Sequence, residues 1–214
     1  MRTTEERVRS LAEECTNAIT HGLGAVFITA ASPFLLAEAF RRGGAMAVVC
    51  ASIFAATAIS LYTASTLYHA IRPGRLKQAL QSVDHSAIFL LIAGTYTPFM
   101  LGALRGGWGW SLFGVVWGLA MLGILQELFS STRPRIPAIL LYLAMGWLAI
   151  VAVVPLVTHV RLGGLALILA GGLAYTVGVV FYAIQRVPYF HTVWHFFVLM
   201  GTACHFFAVM NYAA

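Results

Sequence analysis

What the 214-residue chain lacks most is charge. It carries 20 charged side chains, 9% of the total, where a water-soluble domain has roughly 25%. So few cannot cover a water-facing surface, which excludes an ordinary cytosolic enzyme and a disordered chain. Nucleic acid is excluded as a partner as well: the net charge of +6 comes from 13 basic residues scattered in ones, twos and threes, with no basic stripe and no interleaved aromatics. Lysine occurs once, as Lys77 in a loop, so the last apolar segment offers no Schiff-base lysine to a retinal. Cys15, Cys50 and Cys204 are odd in number and form no CxxC pair. They read as free thiols in or near apolar helices, and no disulfide framework follows. The HExxH motif is absent, and no repeat, low-complexity tract or second domain is visible.

What is abundant is apolar sequence: 60% of residues, with a mean hydropathy of +0.86. It falls into seven blocks of about the length that spans a bilayer, near 17–40, 45–70, 84–104, 108–129, 137–158, 162–184 and 190–212. Short polar breaks separate them, among them Arg41–Gly44, the basic stretch Arg72–Lys77, Arg105–Gly107 and the stretch ending Arg133-Pro134-Arg135. Blocks this long are helices, because a barrel shows alternating strands of about ten residues. The first exceeds the apolar core of a cleaved signal peptide and reads as a retained span. The expected fold is all-α: one seven-transmembrane-helix bundle over residues 1–214 in a lipid bilayer. Trp108, Trp110 and Tyr189 read as interfacial anchors, Glu38 and Glu127 as side chains snorkelling from span ends, and Gly114/Gly118 as a close-packing GxxxG. With the N-terminus inside, nine basic residues fall on inner segments and four on outer ones, so the positive-inside rule places the N-terminus in the cytoplasm and the C-terminus outside.

Polar side chains within spans are costly and are functional candidates by default. Here they gather at the inner end. Glu14, Asn17 and His21 begin the first block, Ser65 and His69 end the second, Asp84 and His85 open the third, and His191 and His195 open the seventh. His191 and His195, at i and i+4, share one helix face about 6 Å apart along the axis. Alone, such a pair reads first as structural hydrogen bonding and only second as half of a metal clamp; a third histidine at matching depth, with an aspartate close by, turns the reading to metal. Three neutral imidazoles with one open position is an arrangement of catalytic zinc. Without HExxH the candidate base is Asp84. His21 reads as a supporting or packing residue, and His85 points elsewhere on its helix. His205, some 21 Å deeper than His191, reads as an interior hydrogen bonder, and His159 as solvated.

The stretches Glu13-Glu14-Cys-Thr-Asn17-Ala-Ile-Thr20-His21-Gly22, Ser65-Thr-Leu-Tyr68-His69, Asp84-His85 through Gly94-Thr-Tyr96-Thr-Pro98, Gly171-Gly-Leu-Ala-Tyr175 and Pro188-Tyr-Phe-His191-Thr-Val-Trp-His195 resemble the bacterial hemolysin III proteins. These belong to the progestin and adipoQ receptor superfamily, related to adiponectin receptors and alkaline ceramidases. The likeness runs over essentially the whole chain. It implies seven helices with the N-terminus inside, and Zn2+ held by His69, His191 and His195, with Asp84 and Ser65 beside the metal's water. The expectation is an integral membrane protein of the bacterial inner (cell) membrane that takes a membrane lipid or other acyl-chain ligand. Three functions compete. One is a zinc-dependent hydrolase of a lipid amide or ester, with Asp84 as proton shuttle and Ser65 steadying the oxyanion. The second is a non-enzymatic sensor or homeostasis protein with structural zinc. The third is a pore-forming haemolysin, disfavoured because the ionisable groups sit at one end.

Overall fold

The computed structural model describes residues 9–129, 135–184 and 186–213. The tail 1–8, most of the basic break after the fourth block (130–134) and Gln185 lie outside the described residues, of which none forms a strand. The helices in chain order are α1 (Leu11–Ala70), α2 (Arg75–Leu101), α3 (Gly107–Phe129), α4 (Arg135–Gly146), a 3-10 stretch (Leu148–Ala152), α5 (Val153–His159), α6 (Leu162–Ala183) and α7 (Phe190–Tyr212). Five helical stretches are long and apolar enough to cross a membrane: Leu11–Ala70, Gly107–Phe129, Ile136–His159, Leu162–Ala183 and Phe190–Tyr212. Large apolar side chains such as Phe27, Phe34, Leu122, Val154 and Leu162 stand exposed on the outside. That surface belongs in lipid, and the chain is a multi-pass membrane protein.

The polar break expected over Arg41–Gly44 shrinks to one residue. Helix continues through Gly43, and only Gly44, at φ 66° and ψ −153°, leaves helical geometry, in a region that residues with a Cβ avoid. There the chain doubles back: Glu14 before the break touches His69 after it, and a methyl group at Gly24 would meet the Tyr62 ring at 3.1 Å. So α1 is an antiparallel pair of helices, 11–43 and 45–70.

Two further block edges move. The helix carrying Asp84 starts nine residues earlier, at Arg75, because Leu76, Lys77, Gln78, Ala79, Leu80 and Gln81 are good helix formers that a hydropathy reading passes over. The block at 137–158 is not one continuous α-helix. Pro155 has no N–H to donate and its ring clashes with the carbonyl four residues back, so the chain tightens to 3-10 over Leu148–Ala152 and resumes as α5. Side chains are corrected too. Glu127 is buried at 7% exposure and paired with His85 at 3.2 Å, not snorkelling. Gly114 and Gly118 face open space, so they pack no helix among the described residues.

α6 packs most extensively on α7 and α1 on α2, while α3 lies against α2 and α1 also reaches α7. α7 is the most enclosed of the apolar stretches, 50% buried against 17% for Ile136–His159. The start of α1 fixes the start of α7. Ser10 and Glu13 form a capping box: Glu13 N–H donates to Ser10 Oγ (3.2 Å), and Ser10 N–H donates to Glu13 Oε2 (2.9 Å). The second oxygen, Oε1, accepts from the backbone N–H of Tyr189 at 2.8 Å. Tyr189 caps α7 in the left-handed conformation (φ 60°), costly for a residue with a Cβ and held here by that bond. One glutamate thereby ties the start of α1 to the helix end that carries His191 and His195.

Candidate metal centre

The first turns of α7 project His191 and His195 inward, one turn apart, with ring centroids 4.7 Å from each other. His69, in the last turn of α1, comes to 5.1 Å from each of them. One nitrogen from each of the three rings lies within 4.8 Å of the other two. Tetrahedral zinc with bonds of about 2.0–2.1 Å sets its nitrogens about 3.4 Å apart. The rings therefore need to close by up to about 1.4 Å, a small rotation of each imidazole.

Hydrogen bonds orient two of the rings for the task. His69 Nδ1 donates to Glu14 Oε2 at 2.8 Å, and its Nε2 is buried with no protein partner. The Thr20 hydroxyl spends its proton on the carbonyls of Thr16 (3.0 Å) and Asn17 (2.9 Å), so at 3.1 Å from His195 Nδ1 it accepts. Both imidazoles are thus held with the proton on Nδ1 and the lone pair on Nε2, as a metal-ligating histidine is held by its outer partners. His191 is set differently. Arg9 Nη2 donates to its Nδ1 at 3.3 Å, and its Nε2 is buried and unpartnered. A guanidinium has no acceptor to offer in return, so Arg9 must let go before this ring is oriented like the other two.

His21, read from sequence as a supporting residue, stacks on His195 at 3.5 Å with 10° between the planes. Tyr62 stands edge-on to it at 5.1 Å, and neither His21 ring nitrogen has a hydrogen-bond partner. Asn17 Oδ1 accepts from Thr192 of α7 at 2.6 Å. His85 turns away from the triad to Glu127, and its backbone carbonyl accepts from Tyr142 at 3.1 Å. Glu14 also accepts from Lys77 Nζ at 3.0 Å.

A cavity begins at this polar end and runs into the bundle. Ser65 (1% exposed) and Asp84 (7% exposed) line it together with His191 and His195. Farther in, the wall is mostly apolar, from Ile88 and Leu91 past Phe99 to Leu104 and Leu156. Of the five residues singled out from sequence, three histidines meet and the remaining two share a wall with two of those three. Sequence reasoning missed the partners: Arg9, Glu14 as the acceptor from His69, and Thr20. The signal was present in part, since Glu14, Asn17 and His21 recur at i, i+3 and i+7 on one helix face.

A family model described as haemolysin-III related matches residues 9–206. The chain is 43% identical over 203 residues, 95% of each sequence, to the Hemolysin-3 homolog of Bacillus subtilis (strain 168). It is 44% identical over 200 residues to the Hemolysin-3 of Bacillus cereus, covering 94% of this chain and 91% of that one. The human monocyte to macrophage differentiation factor is 27% identical over 176 residues, 77% of this chain and 70% of its own.

Proposed function

The chain belongs to the haemolysin-III related family, within the progestin and adipoQ receptor superfamily, and on that premise we propose an integral membrane zinc protein that hydrolyses a lipid amide or ester. One observation carries the reading: three imidazoles, those of His69 and His195 buried and that of His191 half-buried, converge at the polar end of a largely apolar cavity whose wall there also presents a carboxylate and a hydroxyl. The donor set suits zinc, for His69 and His191 each hold a buried Nε2 with no partner, and the Thr20 hydroxyl at Nδ1 of His195 leaves that ring's lone pair on Nε2. His69, His191 and His195 would hold the ion, which supplies Lewis acidity when bound.

The chain's own residues supply the rest. The apolar wall takes the acyl chain and keeps water from the bond beyond the first few carbons. Asp84 accepts a proton from the attacking water on a carboxylate oxygen and returns it to the leaving nitrogen or oxygen. Ser65 donates its hydroxyl proton toward the carbonyl oxygen as negative charge builds there. Reading α1 as two spans and adding α2 to the five apolar stretches gives seven crossings. The distribution of lysine and arginine favours an N-terminus in the cytoplasm and a C-terminus outside, and the Bacillus relatives support a bacterial cell membrane.

The test is metal analysis of purified protein combined with turnover of a long-chain acyl amide in nanodiscs. One zinc per chain is expected, lost in His191→Ala and His195→Ala together with turnover. Stoichiometric zinc retained in both variants would end the metal assignment. The rival reading, a non-enzymatic protein whose zinc staples helices, is favoured by one observation: the triad bridges the end of α1 to the start of α7, which Glu13 and Thr20 already tie to the start of α1. Zinc that raises thermal stability while no lipid is turned over would decide for the staple.

A further inference from the structure

Ten residues beyond His195, α7 presents a second polar group to the same cavity. His205 is buried at 7% exposure, its Nδ1 has no hydrogen-bond partner, and its ring lines the cavity wall. It stacks on Tyr175 of α6, with centroids 5.6 Å apart and planes within 10°. Two glycines seat the pair. A Cβ at Gly171 would lie 2.5 Å from His205 Nε2, and one at Gly201 would lie 2.7 Å from the Tyr175 ring. The tyrosine hydroxyl is already engaged: it shares a hydrogen bond with Thr202 Oγ1 (2.8 Å), which also accepts from Tyr62 (2.7 Å). That network leaves the imidazole as the unsatisfied member, in the bundle interior, where a polar group without a partner is costly.

We propose that His205 recognises a hydroxyl group carried part-way along the ligand's acyl chain, so that the lipid this protein takes is a mid-chain hydroxylated one. The inference rests on the acyl-chain reading of the cavity. A hydroxyl matches a neutral imidazole whichever ring nitrogen bears the proton, because it both donates and accepts. Its position along the chain follows from the helix. Ten residues rise about 15 Å from His195, and a zigzag of carbon–carbon bonds advances roughly 1.25 Å per carbon. With the carbonyl at the triad, the hydroxyl falls near carbon twelve.

The experiment measures displacement of the fluorescent fatty acid cis-parinaric acid from the full-length protein in nanodiscs. The competitors are stearic acid, 12-hydroxystearic acid and its 7-hydroxy isomer. The 12-hydroxy acid should bind about tenfold more tightly than either competitor, the scale of one well-made buried hydrogen bond. His205→Phe should abolish that preference and leave stearic acid within about threefold of wild type. His205→Gln, which keeps a donor and an acceptor, should preserve part of it and serves as the readout if the Phe variant does not fold. Equal affinities for the three acids, or a preference that survives His205→Phe, would overturn the role of His205 while leaving the acyl cavity in place. Failure of parinaric and stearic acids alike to bind would overturn the acyl reading, and this inference with it.

Discussion

Glu14 accepts from His69 Nδ1 and from Lys77 Nζ, with Arg9 Nη1 3.9 Å from its other oxygen, so a single carboxylate orients one ring of the triad and gathers two cations beside it. Carboxylates behind ligating histidines are typically worth 10–100-fold in metal affinity. Glu14→Gln should weaken zinc binding by about that factor, read by chelator competition. Arg9→Gln should act in the opposite direction, because it removes the cation that occupies His191 Nδ1; weaker zinc binding in that variant would contradict the competition. Asp84 separates the enzymatic from the structural role. Asp84→Asn is expected to keep zinc and fold but lose about 10²–10⁴ in turnover, the usual contribution of a positioned base. A loss of zinc with proportional loss of activity would demote Asp84 to a brace. The histidines, Ser65 and Asp84 were legible from sequence because i, i+4 spacing and a shared end of the membrane are one-dimensional facts. Their partners were not: whether Thr20 meets His195, or Glu127 meets His85, depends on how far each helix is turned about its own axis.

At the scale of helices, contact distance sets which small residues matter. A Cβ at Gly94 would run into the Thr57 hydroxyl where α2 crosses the second half of α1, whereas at Gly114 it would meet nothing within 4 Å. Gly94→Ala should therefore cost about 1–3 kcal/mol through overpacking. Gly114→Ala should be neutral or stabilising by up to about 1 kcal/mol through helix propensity. Thermal unfolding in one detergent compares the pair; equal melting temperatures would show that α1 and α2 do not approach as described. The existence of these helices could be read from hydropathy, but two of their boundaries could not. A run of lipid-compatible residues does not mark where helix begins, as Arg75 shows, nor where the i→i−4 ladder is interrupted, as Pro155 shows.

For the whole molecule, the polar groups sort by end. Arg9, Glu13, Glu14, Lys77, Asp84 and the triad lie at one end, while Glu38 with Arg41 and Arg42 lies at the other, where Arg42 also donates to the carbonyl of Asn211 near the end of α7 at 2.9 Å. Glu38 pairs with both arginines and so offsets charge that the positive-inside rule would otherwise keep in the cytoplasm. A reporter fused to the C-terminus should be active only on the outer side. Activity confined to the cytoplasm would reverse the orientation, and would move the candidate site to the other face.

The turn at Gly44 bears on how the chain is made. A reversal of one residue leaves little slack between the two helices it joins, so the expected outcome is that they enter the bilayer together as one hairpin, with Arg41 and Arg42 at its tip in the company of Glu38. Such a hairpin already holds Glu14 and His69 side by side before the later spans arrive, and a chain truncated after Ala70 should insert on its own.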